Sequence, residues 1–243
     1  MSRYPFPWGL FTTLAAGLPN SKRSLVEDSK RMRGLIEPKP IVSGADNIPA
    51  SGPCLIAANH YQRRGLWIAW PGAVITAVVA ERRNEDPSIF WLVTGGIRLM
   101  QFRDRGPQLP GSGWIMSSVA RTYGMTALPL SDLRRRVGLL LSWFDEIDKG
   151  HVLGVFPEGT RGTAVGLSEP DPRFGAMCRL ASHKACPILP TGIFEDYDTL
   201  HVSFGSLLPA ECGDSELVMR SIAQQLPTRL RGRFVDPTGM TGT

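Results

Sequence analysis

Residues 54–61 read CLIAANHY, and residues 151–162 read HVLGVFPEGTRG. In each stretch an apolar run predicts a short buried strand, and polar residues follow that strand at once. Open α/β sheets bind their ligands just outside the carboxyl ends of their strands. We therefore expect the two polar segments to lie at the carboxyl ends of buried strands, where a ligand or substrate would bind.

The rest of the chain alternates between strand and helix patterns, which predicts a single-domain α/β sandwich with a largely parallel sheet flanked by helices. Further strands are predicted at residues 41–42, 74–80, 125–130, 187–194 and 200–204. Helices are predicted to start near residues 66–70 and to span residues 24–32, 88–100, 114–123, 133–147, 174–184 and 215–226. We divide the 243 residues into an N-terminal arm (1–40), a domain (41–226) and a loose basic C-terminal tail (227–243).

The formal net charge of +5 is concentrated at the ends of the chain. Residues 1–40 carry seven basic and three acidic side chains, and residues 227–243 carry three basic and one acidic. Such ends suit an anionic membrane surface, although charged ends that are simply solvated fit equally well. No zinc-ligand spacing and no nucleic-acid-binding signature is visible, so we expect neither a metal site nor a nucleic-acid partner.

The N-terminal arm is aromatic over residues 4–18, and basic residues follow it. This pattern favours an interfacial membrane anchor, with an arm that packs on the core as the alternative. No apolar run reaches the eighteen residues of a membrane span. We therefore expect a protein bound peripherally at the cytoplasmic face of the membrane.

Two groups of side chains carry the candidate chemistry. His60, directly after a predicted strand, suits a general base, and a purely structural histidine is the alternative. Residues 158–161 combine a carboxylate, a glycine, a hydroxyl and a guanidinium, which suits binding of an anionic group such as phosphate. A surface turn with a structural salt bridge is the alternative for this segment.

Together these motifs make residues 41–209 resemble the glycerolphosphate and lysophospholipid acyltransferase family. In that family Asn-His, followed after four residues by Asp, is the catalytic motif, and FPEGTR is the phosphate-site motif. The resemblance implies transfer of a fatty acyl group from an acyl thioester to a lysophospholipid or glycerolphosphate hydroxyl. It makes His60 catalytic and makes the following residues substrate-binding: Asn59, Glu158, Gly159, Thr160 and Arg161. It implies no bound cofactor, with acyl-CoA or acyl-carrier protein as the co-substrate.

The chain departs from the family pattern at Gly65, which stands where the family has its Asp. Three consequences stay open. Glu158 or Glu81 replaces the missing carboxylate, a backbone carbonyl holds the imidazole, or the protein binds acyl lipids with weakened turnover. Arg63 and Arg64, if close to His60 in space, are expected to lower its pKa by like-charge repulsion.

Overall fold

The computed structural model describes residues 3–5, 23–83, 88–96, 110–129, 132–159 and 162–235. Seven strands lie in this part of the chain: β1 (Ile41–Ser43), β2 (Cys54–Ala58), β3 (Ile89–Thr94), β4 (Thr126–Leu128), β5 (Val152–Val155), β6 (Ile188–Asp196) and β7 (Thr199–Phe204). The α-helices of the same part are α1 (Leu25–Leu35), α2 (Ala69–Arg82), α3 (Ser112–Tyr123), α4 (Leu133–Phe144), α5 (Phe174–His183) and α6 (Ser215–Gln224).

The strands form one seven-stranded sheet in the order β1-β7-β6-β2-β5-β3-β4. Neighbouring strands pair in parallel except β6 and β7, which form an antiparallel hairpin. This confirms the predicted single-domain α/β fold with a largely parallel sheet. Because β2 lies between β5 and β6 and runs parallel to both, the carboxyl ends of these three strands are neighbours at one edge, which we call the carboxyl edge.

The central strands are apolar along their whole length, and both of their faces are buried. Every residue of β2 and of β5 is buried, as expected for strands of a parallel sheet. By contrast β7, which pairs antiparallel with β6, alternates between buried and half-buried residues. The uninterrupted apolar runs that identified β2 and β5 in the sequence thus reflect their central position.

Two predicted elements are wrong in type. Residues 74–80 were expected to be a strand, yet they belong to the fourteen-residue helix α2. A run that is apolar on all sides does not distinguish a buried helix from a buried strand, and here packing outweighs the β-branched residues. Residues 88–100 were expected to be a helix, but Ile89–Thr94 form β3, and residues 97–100 lie outside the described residues.

Side-chain caps fix where three helices begin. Ser24, Asp132 and Asp214 each accept a hydrogen bond from a backbone N–H in the first turn of the helix that follows. Such caps satisfy donors that have no partner within the helix. The helix predicted at residues 133–147 thus begins after Asp132.

The C-terminal segment 227–235 was expected to be loose, and it is packed. Leu230 and Phe234 are buried, while Arg229 pairs with Asp196. Arg233 pairs with two acidic side chains, those of Glu169 and Glu216. The positive charge of this segment is therefore partly neutralised within the fold.

The expected anchor at residues 4–18 lies almost entirely within residues 6–22, which are outside the described residues. Among the helices that the structure describes, none is both long and apolar enough to span a bilayer.

Candidate functional site

Asn59 continues the pairing between β2 and β6 beyond the last residue of β2. Its Nδ2 donates to the carbonyl of Ile193 (2.8 Å), and its Oδ1 accepts from the N–H of the same residue (2.6 Å). A side-chain amide that satisfies both backbone groups of one residue fixes its own backbone as well. Asn59 thus holds the chain immediately before His60 at the carboxyl edge. These contacts do not test the expected role of Asn59 in binding substrate, which stays a prediction.

Glu158 connects the loop after β5 to the backbone of His60. Its Oε2 accepts a hydrogen bond from the N–H of His60 (2.5 Å), and its Oε1 accepts one from the N–H of Ser168 (2.6 Å). The residue is 1% exposed. Buried carboxylates require such partners, because an unpaired charge in the interior is very costly. Glu158 therefore positions both the backbone of His60 and the loop that contains Ser168.

Gly159, within the FPEGTR motif, and Gly162, directly after it, have different roles. Gly159 closes a turn in which its N–H donates to the carbonyl of Phe156 (2.9 Å), and its φ is +66°. Gly162 packs directly on His60: a Cβ at this position would lie 2.0 Å from the carbonyl oxygen of His60 and 2.3 Å from its Cβ. A side chain at residue 162 is therefore incompatible with this arrangement. The absence of a side chain at Gly162 lets the loop after β5 reach His60.

The imidazole of His60 lies in an apolar environment. The residue is 8% exposed, and its ring packs edge-on against Phe156 with centroids 5.3 Å apart. Its Nδ1 is buried and has no hydrogen-bond partner among the residues that the structure describes. Burial lowers the pKa of His60 from 6.5 to about 4 because the charged imidazolium is poorly solvated there. The ring is therefore neutral at physiological pH.

Neither carboxylate suggested by the sequence reaches this imidazole. The hydrogen bond that joins Glu158 to His60 runs to its backbone N–H, not to the ring. Glu81 lies on α2 and pairs with Arg33 of α1. The proposed replacement of the family's Asp by Glu158 or Glu81 is thus wrong for this conformation.

A tight turn occupies the position of the missing Asp. The N–H of Leu66 donates to the carbonyl of Arg63 (2.9 Å), and the reverse bond measures 3.3 Å. These bonds close a two-residue turn in which Gly65 has a φ of +87°. A Cβ at residue 65 would have room, with Arg63 Nη1 at 3.7 Å, but side-chain-bearing residues rarely adopt this backbone conformation. The glycine therefore serves the turn.

A cluster that the sequence did not reveal holds this turn. The guanidinium of Arg63 binds the carboxylate of Glu195 through two nitrogens, and the Nη2–Oε1 distance is 2.6 Å. The hydroxyl of Tyr4 donates to the same carboxylate (2.8 Å), and the guanidinium lies over the Tyr4 ring. Since Arg63 is occupied by Glu195, it does not explain the low pKa of His60, and the expected like-charge repulsion is replaced by burial as the cause.

His60, Asn59, Glu158 and Gly159, four of the six site residues that the sequence suggested, gather at the carboxyl edge around the end of β2. The remaining two, Thr160 and Arg161, lie outside the described residues. The signal that could have identified Gly162 as the contact with His60 was its place directly after the second motif. The clustering of Tyr4, Arg63 and Glu195 left no such signal, because Tyr4 and Glu195 are 191 residues apart.

Comparison with solved structures gives a match to the 1-acyl-sn-glycerophosphate (LPA) acyltransferase PlsC from Thermotoga maritima. The TM-score is 0.54, the sequence identity is 16%, and the match covers 90% of this chain and 80% of that one. At this identity the likeness concerns the fold. No protein-family model matches the sequence, and no curated protein matches it.

Proposed function

We propose that this protein is an acyltransferase that moves a fatty acyl group from an acyl thioester to a hydroxyl of a lysophospholipid or a glycerolphosphate. The observation that carries the proposal is the contact between the two motifs: Glu158 and Gly162 both meet the backbone of His60. The sequence motifs and the fold shared with PlsC support the same reaction class.

In this proposal His60 acts as the general base. Its neutral imidazole takes the proton of the acceptor hydroxyl as the oxygen attacks the thioester carbonyl. The new C–O bond forms, the C–S bond breaks, and the thiolate leaves with the proton that the imidazolium returns. A base is required because the hydroxyl itself is a weak nucleophile.

The other motif residues position the reactants in this proposal. Asn59 and Glu158 fix the backbone that leads into His60, through Ile193 and through the His60 N–H. Arg161 binds the phosphate of the acceptor, assisted by Thr160 and Gly159, since a planar guanidinium pairs with two phosphate oxygens. We place the protein at the cytoplasmic face of the membrane, with acyl-CoA or acyl-carrier protein as the donor.

The unpartnered Nδ1 favours a second candidate, an acyl-lipid-binding protein with weakened turnover. In Ser-His-Asp sites a carboxylate at this nitrogen orients the ring and stabilises its cation. The burial that lowers the pKa of His60 to about 4 makes the imidazole a weak base at neutral pH. The two candidates share the fold and the ligand class, and they differ in turnover alone.

Measurement of acyl transfer separates these candidates. The wild-type protein is incubated with labelled acyl-CoA or acyl-carrier protein and a panel of lysophospholipids, next to His60→Gln, which keeps the ring's approximate volume. We expect kcat to fall by about 10²–10⁴-fold in the variant, the usual contribution of a general base. Arg161→Ala should raise the acceptor KM, and Arg161→Lys should restore part of it. Binding of acyl lipid without transfer by the wild type would favour the second candidate.

A further inference from the structure

The exposed aromatic side chains of the described residues lie in segments that adjoin the carboxyl edge. They are Trp67 (44% exposed), Trp114 (61%) and Tyr197 (96%). Trp67 lies in the loop after β2, and Tyr197 lies in the turn between β6 and β7. Trp114 is in the first turn of α3, a helix about 18 Å long whose end leads through Gly124 into the amino end of β4. The strand register places Thr126, where β4 begins, beside Leu92 and level with Ala57 near the end of β2, so α3 ends close to the carboxyl edge.

Tyr197 projects beyond this edge. Thr191 of β6 stands opposite Ala58, the last residue of β2. From there β6 continues to Asp196, paired with β7 as a two-stranded hairpin. Tyr197 lies six positions after Thr191, and an extended chain rises roughly 20 Å over six steps at about 3.3 Å per residue. The hairpin thus extends beyond His60 in the direction in which β2 points.

Tyr197 is a poor choice for the turn that contains it. Tyr197 and Asp198 form a two-residue hairpin turn, and both have positive φ, +43° and +66°. Asn and Gly are favoured in such turns, whereas other residues carry backbone strain. A ring that is 96% exposed gains little packing to offset this strain. Residues that break a local rule without benefit to the fold are expected where function requires them.

The charges around the hairpin tip are paired. Glu195 binds Arg63, Asp196 binds Arg229, and Asp198 binds Arg3. The tip therefore presents an aromatic ring among neutralised charges rather than a cluster of one sign. Tyr and Trp are enriched at the boundary between lipid and water, where a ring meets apolar chains and polar headgroups at once.

We propose that the carboxyl edge docks on the surface of a phospholipid bilayer, with Tyr197, Trp114 and Trp67 inserted at the boundary between lipid and water. This inference rests on the proposed function, because a lipid acceptor has to pass from the bilayer to His60. Docking of this kind uses apolar contact, so zwitterionic lipid suffices. It differs from attraction between the basic ends of the chain and an anionic surface.

The test is co-sedimentation with vesicles of pure phosphatidylcholine at low and high salt. We expect the wild-type protein to bind at both, since screening weakens attraction between charges but not apolar contact. Tyr197→Asn should lower the partition coefficient about tenfold, through loss of buried apolar area, while the unfolding temperature stays equal or rises. Trp114→Gln should weaken binding similarly. The control is Leu141→Gln, which removes an exposed apolar side chain in the last turn of α4, toward the opposite edge.

Three results would overturn this inference: Tyr197→Asn binding as wild type does, Leu141→Gln losing as much as Tyr197→Asn, or binding that disappears at high salt. None of them depends on turnover. If the vesicle results are as expected while the wild type transfers no acyl group, the docking stands and the proposed acyl transfer fails. If the wild type transfers the acyl group while the Tyr197 variant binds vesicles unaltered, the acyl transfer stands and the docking fails.

Discussion

The loop after β2 and the loop after β5 meet at His60, but only the loop after β5 makes contacts that hold this residue in place. The loop after β5 contacts its backbone, through the carboxylate of Glu158 and the close approach of Gly162. The loop after β2 turns away from it, because Arg63 is bound to Glu195 and a glycine turn stands where a carboxylate would be expected. The position of the candidate catalytic side chain and a carboxylate that would raise its pKa are therefore separate properties, and this fold has the first without the second.

The contact on the β5 side is tested most severely at Gly162. Gly162→Ala should destabilise the protein by at least about 3 kcal/mol, because the new methyl group would meet backbone atoms of His60 that cannot rotate away. Gly159→Ala is the matched variant: its Cβ has room, so only the positive φ opposes it, at about 1 kcal/mol. Urea unfolding of both measures the difference, and equal losses would contradict the close packing at residue 162.

The pH dependence of stability tests whether the imidazole of His60 is buried without a charged partner. The pKa of His60 is about 4 in the fold and about 6.5 in the unfolded chain, so the unfolded chain takes up the proton first as pH falls. The neutral His60 ring therefore contributes its full share to the free energy of unfolding above pH 6.5. This contribution is lost as the pH falls toward 4, and the loss totals about 3 kcal/mol. Between pH 7 and pH 4, the free energy of unfolding of His60→Gln should therefore fall by about 3 kcal/mol less than that of the wild type. Parallel pH profiles of the two proteins would argue against a buried, unpaired ring.

Glu158→Gln removes one acceptor from the β5 side. In the wild type, the N–H groups of His60 and Ser168 both donate to this carboxylate. The amide oxygen of the variant can accept from one of them, and the second N–H then faces the NH₂ group and loses its acceptor. We expect a loss of about 2 kcal/mol in the free energy of unfolding. The control is Glu216→Gln, whose half-exposed ion pair with Arg233 should contribute less than about 1 kcal/mol. A smaller loss for the Glu158 variant than for this control would contradict its role.

The loop after β2 can be tested by placing a carboxylate at residue 65, where the acyltransferase family has its Asp. Gly65→Asp should raise the pKa of His60 and the rate of acyl transfer, the latter by about tenfold, if the new side chain reaches the ring. Gly65→Asn has a similar shape and similar backbone strain without the charge, so it separates the two effects. The acidic limb of the rate profile should move to higher pH in the Asp variant alone. Equal rates in both variants would show that the turn directs residue 65 away from His60.

The sequence predicted those parts of the molecule that depend on local pattern. The apolar run at residues 54–58 predicts a strand at its observed bounds, and the helix predicted at residues 215–226 is observed at Ser215–Gln224. The pattern of residues 74–80 predicts a strand, although they belong to the helix at residues 69–82. An apolar run in the centre of a fold has no polar face that would reveal the helical period.

The contacts that define the site could not be predicted in the same way. Glu158 was recognised as a site residue, but nothing in the sequence indicates that its carboxylate binds a backbone N–H 98 residues away. The pairing of Asn59 with Ile193 likewise spans 134 residues. Such contacts depend on the order of strands in the sheet, which places β2 between β5 and β6.

The most direct test of a positioned but unpaired imidazole at the candidate site is an NMR titration of His60 in the wild-type protein, followed through its ring nitrogens. A neutral ring with a pKa near 4, and with no sign of a carboxylate at Nδ1, is the predicted result. A pKa at or above the ordinary value of 6.5 would contradict it, since that value would require a negatively charged partner for the ring.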